Sequence, residues 1–296
     1  MSNLRGIFPA TVTPYGKSGT FDPVAMRKVI GYQLRAGVHG FYLCGGTGEG
    51  LLLKREEHRA VVETVIDEVG GKVPVISHVG AFQTDGALGR AEDARNAGVD
   101  AISALPPAYF YTPDEKEIVH YYRKLAEAAA LPLLIYNIPA RTGVTMTTKL
   151  YEDLLNIDEI IGMKDSTGDL FAIGKFIAQR PEATLFNGED TVLLGGLIAG
   201  ACGGIGLTYN LMPRWFVQLW DAVQGGNMAE AAELQKKINK CISILLNFNL
   251  IAAAKQMMAW IGLECGVPRT PLRELEDDEK IQLRKNLENT GYFEQA

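Results

Sequence analysis

The chain has 296 residues, 47% of them hydrophobic and 22% charged, a composition that fits one large globular core or two domains. Its formal charge of −6 is spread along the chain without a basic block, which removes the electrostatic footprint that nucleic-acid binding needs. No apolar stretch reaches the roughly 18 residues of a membrane span.

From the N-terminus, "MSNLRGIFPATVTPYG" carries no apolar run of the signal-peptide kind, so a cytoplasmic location is expected. The pattern after it is alternation. Apolar or β-rich runs fall at 6–14 (GIFPATVTP), 40–46 (GFYLCGG), 73–80 (VPVISHVG) and 100–107 (DAISALPP). Four more follow at 131–139 (LPLLIYNIP), 160–166 (IIGMKDS), 183–188 (ATLFNG) and 202–209 (CGGIGLTY). Segments of helical period lie between them, such as DPVAMRKVIGYQLRAG and DEKEIVHYYRKLAEAAA, several ending in Gly or Pro. The segment at about 147–155 is the shortest helix expected.

Eight strands separated by helices predict parallel pairing, and strands buried on both faces read as continuous apolar runs. Eight such units in about 225 residues predict a (β/α)8 barrel, whose usual size is ~250 residues. An open doubly wound sheet is the alternative, since periodicity does not show closure. From 226 to 296 the pattern is helical only, which predicts an extension packed on a barrel spanning 1–225.

Cys44, Cys202, Cys241 and Cys265 lie far apart with no CxxC spacing, as packed thiols in a reducing compartment do. His39, His58, His78 and His120 never pair at i, i+3 or i+4, so no metal site is expected.

Barrel enzymes take their catalytic groups from the C-terminal ends of strands. Lys164 stands at such an end, after four apolar or tiny residues. An amine held in an apolar place loses preference for its charged form, so its pKa falls from ~10.4 toward neutrality. A neutral amine attacks a ketone and forms a Schiff base, which weakens the neighbouring C–C bond. The alternative is a lysine that snorkels to the rim or pairs with Asp165. Tyr136 ends another apolar run and is either a proton donor and acceptor or a core tyrosine. The loop GGTGEG, with Thr47, offers N–H groups to a carboxylate or phosphate, or makes a tight turn. Arg141 clamps a second carboxylate or sits on the surface. Asp190 holds substrate hydroxyls or caps the helix that follows.

Together "GGTGE" (45–49), "YNIPARTG" (136–143), "GMKDSTGD" (162–169), "NGED" (187–190) and "GGIGLTYN" (203–210) resemble the pyruvate-dependent class I aldolases, the superfamily of N-acetylneuraminate lyase and dihydrodipicolinate synthase. The resemblance runs over almost the whole chain. It implies a (β/α)8 barrel with a C-terminal helical segment, usually a homotetramer, acting on pyruvate or another 2-oxo acid and an aldehyde without a cofactor. It implies Lys164 as the Schiff-base lysine and Tyr136 as proton shuttle. Tyr109 would complete a relay across a subunit contact. The turn at Gly46 and Thr47 would hold the pyruvate carboxylate, Ile205 would line the site, and Gly188, Asp190 and Arg141 would meet the substrate.

"HVGAFQT", "LFNGED" and "GGIGLTYN" look more like the sialic acid lyase branch. Arg141 departs from it and resembles the carboxylate-binding arginine of dihydrodipicolinate synthases. Thr191 and Leu207 stand where sialic acid lyases carry a carboxylate and a hydroxyl, and Gly46 stands where both branches carry a hydroxyl. Two further readings compete: an oxidoreductase with a flavin or nicotinamide on the glycine loops, and a catalytically idle sensor of 2-oxo acids.

Overall fold

Each of the eight apolar runs becomes a strand. The computed structural model describes residues 4–108 and 112–294. The strands are β1 (Gly6–Pro9), β2 (Phe41–Leu43), β3 (Val75–His78), β4 (Ala101–Ala104), β5 (Leu133–Asn137), β6 (Ile160–Asp165), β7 (Thr184–Asn187) and β8 (Gly203–Gly206). They run parallel in the order β1-β8-β7-β6-β5-β4-β3-β2. A parallel bridge between Ala10 and Tyr42 joins the two ends, and the Thr11 N–H donates to the Tyr42 carbonyl at 2.9 Å. The sheet is therefore closed, a (β/α)8 barrel rather than an open doubly wound sheet.

Local chemistry sets the helix ends. Asp22 accepts from the Val24 and Ala25 N–H groups to start the helix Pro23–Arg35. Asp114 and Glu117 form a reciprocal capping box on Glu115–Ala129. The helix Thr148–Leu155 has 8 residues, but it is not the shortest: Pro139–Thr142 has 4 and Leu193–Ile198 has 6. Both shorter helices start in segments rich in Pro or Gly, whose helical period is too brief to read.

Three apolar clusters hold the chain. Leu133, Ile135 and Met163 face outward against the helices, while Phe8, Tyr42, Ile76, Leu134, Phe186 and Ile205 fill the barrel interior. The C-terminal helices Met228–Leu245, Leu250–Trp260 and Asp277–Leu287 share a third cluster with helix Pro213–Gln224. Among the described residues no single helix is long and apolar enough to cross a membrane.

One irregularity matters for the site. Leu133 pairs with Ile160, yet Leu134 pairs with Gly162, so Ile161 is a surplus residue in β6. Side chains alternate along a strand, and a bulge resets that alternation. Ile160 and Met163 both face the outer cluster, three positions apart, which regular alternation forbids. Lys164 is thereby turned into the barrel. Gly162 adopts φ 155, and a Cβ there would strike the Thr184 carbonyl, so only glycine fits the bulge.

Candidate active site

The bulge places Lys164 and Tyr136 side by side, as direct partners in the β5–β6 ladder. Lys164 is 4% exposed and Tyr136 7%. The Lys164 Nζ lies 4.1 Å from the centre of the Tyr136 ring and 4.7 Å from that of Tyr42. Asp165, next in the strand, points the other way. It accepts from the Asn137 amide at 2.7 Å and from the Thr167 N–H at 2.9 Å, and no ion pair joins it to Lys164. The amine thus sits among aromatic faces with no counter-ion among the described residues.

Histidine completes this aromatic wall. The His78 ring meets Tyr136 edge to face, with centroids 5.7 Å apart. Its Nδ1–H donates to the Cys44 carbonyl at 3.2 Å, and its Nε2 accepts from the Leu105 N–H at 3.3 Å. Those partners fix the neutral tautomer, and burial pushes its pKa down to about 3. His58 Nε2–H donates to the His78 carbonyl at 2.9 Å, and burial holds that ring to about 4. The Tyr42 hydroxyl donates to the Ser103 Oγ at 3.1 Å. Burial raises the Tyr42 pKa, and Tyr136 beside it adds to the rise.

The turn after β2 carries Gly46 and Thr47. It closes through Glu49 N–H to the Gly46 carbonyl at 3.1 Å and Gly50 N–H to the Gly45 carbonyl at 3.0 Å. The N–H groups of Gly46 and Thr47 meet no carbonyl among the described residues. Thr47 is largely buried, and no atom lies within 4 Å of where a Cβ on Gly46 would stand. Thr13 donates to the Gly48 carbonyl at 2.7 Å, and the buried guanidinium of Arg90 donates to the carbonyls of Gly50 at 3.3 Å, Leu53 at 2.7 Å and Gly80 at 3.0 Å. Cys44 and Glu49 at its ends have φ 57 and 54, left-handed conformations that cost roughly 1–2 kcal/mol each outside glycine. The turn is over-determined, which is how such strain persists.

Gly188 borders the amine. A Cβ on it would stand 3.0 Å from Lys164 Cε and 2.8 Å from the Asp165 carbonyl, and would overlap the Ser166 hydroxyl. Asp190 is buried beside it. One carboxylate oxygen accepts from the Thr208 N–H at 2.7 Å and the Thr208 hydroxyl at 2.6 Å, tying the end of β7 to that of β8. Burial pushes the Asp190 pKa up to about 6 against the opposing pull of Thr208. The helix cap is instead Glu189, which accepts from the Thr191 N–H at 3.4 Å and its hydroxyl at 2.7 Å. Ile205 is fully buried in the inner cluster. Leu207 is half-buried against the C-terminal cluster. Arg141, in the short helix after β5, is exposed. Tyr109 lies outside the described residues.

The structure thus brings a buried lysine and tyrosine together at neighbouring strand ends, with the turn at Gly46 and Thr47 after β2. The model of the dihydrodipicolinate synthetase family matches residues 3–290. The chain belongs to that family. N-acetylneuraminate lyase of Rhizobium meliloti is 35% identical over 95% of this chain and 94% of its own length. A solved Ruminococcus gnavus sialic acid aldolase, described as a catalytic lysine mutant, superposes with a TM-score of 0.92 at 33% identity, covering 97% of this chain and 96% of that one. CdNal of Clostridium difficile, in complex with mannosamine, superposes with a TM-score of 0.94 at 28% identity, covering 100% of both. This family member is a class I pyruvate aldolase, a carbon–carbon lyase.

Within the aldolase, four side chains of the site escape sequence reasoning: Tyr42, His78, Ser103 and Arg90. The first three sit at strand positions whose inward parity follows from Lys164 and Tyr136 once the register is known. Arg90 gave no local signal, since an arginine in a helix of mixed composition reads as surface.

Proposed function

We propose that this aldolase forms a Schiff base between Lys164 and pyruvate or another 2-oxo acid, and cleaves or forms the bond to an aldehyde, with a 2-oxo sugar acid as substrate. The amine attacks the ketone carbon and water leaves. The resulting iminium draws the electron pair of the C–C bond one carbon beyond the imine carbon; the aldehyde departs as its hydroxyl proton is taken up, and the enamine left on Lys164 is protonated and hydrolysed to release the 2-oxo acid. Tyr136, against the amine, donates and accepts the protons of imine formation and collapse. The N–H groups at 46 and 47 and the Thr47 hydroxyl receive the carboxylate. Gly188 leaves clearance beside Lys164, Ile205 closes the apolar floor, and Asp190 turns a carboxylate oxygen to a substrate hydroxyl.

The observation that carries this reading is the buried Lys164 amine, 4.1 Å from the Tyr136 ring centre, with no close ion pair among the described residues. The lysine that the Ruminococcus relative's description calls catalytic supports the same chemistry. The far half of the pocket argues for a substrate other than sialic acid. The Thr191 hydroxyl is taken by Glu189, and Leu207 offers a polyol nothing, at a cost of about 1–3 kcal/mol per unpaired hydroxyl.

A second reading rests on Arg141. Exposed and with no ion pair among the described residues, it suits an acidic aldehyde such as aspartate semialdehyde, the substrate of the synthase branch. We also propose a homotetramer, the assembly the family resemblance implies; Phe171, 82% exposed, and Ile198, 67% exposed, are apolar side chains available to a second copy. The four unpaired thiols fit a reducing, cytoplasmic setting.

Pyruvate with borohydride, read by intact mass and peptide mapping, is the test. An adduct on Lys164, lost in Lys164→Ala, is expected, followed by turnover of one member of a panel of sialic acid, aspartate semialdehyde and 2-keto-3-deoxy sugar acids. An adduct on another residue, or none, sinks the reading. An adduct without turnover of any substrate leaves a sensor of 2-oxo acids.

A further inference from the structure

We propose that the buried Glu49–Lys255 ion pair, together with Arg269, is a positioning device through which the C-terminal helices set the 44–50 turn and so the affinity for the 2-oxo acid carboxylate. The inference rests on the reading that the 46–47 turn receives that carboxylate.

Glu49 follows Thr47 by two positions, in a left-handed conformation that its own backbone disfavours. Its carboxylate reaches away to helix Leu250–Trp260 and the segment that follows it. One oxygen lies 2.7 Å from Lys255 Nζ, and the other accepts the Arg269 N–H at 2.6 Å. Both charged side chains are 1% exposed. Lys255 also donates to the Val267 carbonyl at 3.3 Å. Lys255 and Arg269 lie 4.2 and 4.4 Å from the centre of the Tyr15 ring. Arg269 then grips Glu57 with two nitrogens, at 2.8 and 2.7 Å, and donates to the Leu52 carbonyl at 3.0 Å. The turn is thus held from behind by the Lys255 cation and by the Arg269 backbone N–H, both outside the barrel wall, while the Arg269 guanidinium grips the residues just after it.

A buried ion pair is a poor way to add stability, because desolvation offsets most of the attraction, but it holds register well. Here the register held is that of two N–H groups aimed at the site. A shift of about 1 Å in such groups changes binding and rate by up to about a hundred-fold.

The experiment measures the pyruvate concentration that half-saturates borohydride trapping, and the trapping rate at saturation, in the full-length protein. Lys255→Met and Glu49→Gln are expected to raise the half-saturating concentration by about ten-fold or more, with the saturated rate within about three-fold of the parent. The double variant, which leaves no unpaired buried charge, should regain thermal stability while the raised concentration persists. A half-saturating concentration within about two-fold of the parent in Glu49→Gln or in the double variant overturns the proposal. So does an equal rise in Leu287→Ala, which loosens the C-terminal cluster without touching the turn. Thr47→Val separates the two layers of the argument. If it raises the half-saturating concentration while the ion-pair variants do not, only the positioning role fails. If neither it nor the ion-pair variants change anything, the turn does not hold the carboxylate and both readings fall.

Discussion

Lowering the pH should cost this protein stability through two histidines that the fold keeps neutral. Burial holds His58 to about 4 and His78 to about 3, against 6.5 for the free side chain. Above that ordinary value both states are neutral and nothing is lost. Below it the unfolded chain takes up protons that the folded chain refuses, so stability falls as the pH drops. From pH 6.5 to 5 each ring withdraws roughly 1–2 kcal/mol, about 3 kcal/mol for the pair. Asp190 works in the opposite sense. Its carboxyl, raised from 3.8 to about 6, protonates in the folded chain first and returns roughly 1 kcal/mol over the same interval. The net loss of about 2 kcal/mol is a large part of a usual stability of roughly 5–15 kcal/mol. Urea unfolding across this range, on the parent and on His58→Gln, makes the measurement. The amide keeps a donor for the His78 carbonyl but does not titrate, so the variant should lose less than about 1 kcal/mol. A parent curve that is flat over the interval, or a variant slope equal to the parent's, refutes the reasoning.

Three substitutions probe the site. Gly46→Ser enters open space, so stability should stay within about 0.5 kcal/mol of the parent. If the missing hydroxyl limits proton transfer, kcat should rise by about ten-fold, and an unchanged kcat shows that the relay runs elsewhere. Gly188→Ala pushes a methyl against Lys164 Cε, and borohydride trapping should slow by about a hundred-fold; the unfolding midpoint should fall as well, since the same methyl overlaps the Ser166 hydroxyl and crowds the Asp165 carbonyl. Arg141→Leu should cut kcat/KM for an acidic aldehyde by about ten- to a hundred-fold and spare neutral ones; equal losses on every substrate would remove its selective role.

The eight strands were legible because burial on both faces turns each into an unbroken apolar run. Lys164 was legible for the same reason, as a charge that ends such a run. Closure was not, since it rests on a bridge between Ala10 and Tyr42 that no period announces. The end of β7 was half legible. Sequence weighed capping against substrate contact for Asp190, and the cap fell one residue earlier, on Glu189, because the turn aims Asp190 at Thr208. His78 read as a lone histidine, although its strand register puts it against Tyr136. The clamp on Glu49 left no local trace, with Arg269 standing 220 residues away in the chain.

The extra residue at Ile161 makes the direction of the reactive nitrogen a matter of counting. Shortening β6 by one residue ahead of Met163 would exchange the strand's two faces, sending a thioether into the cavity and the nitrogen out among the helices. The length of this strand is as constrained as its Gly162 and Lys164 are. A designer who transplants "MKDS" to another barrel transfers the reactivity only by carrying the odd residue along with it.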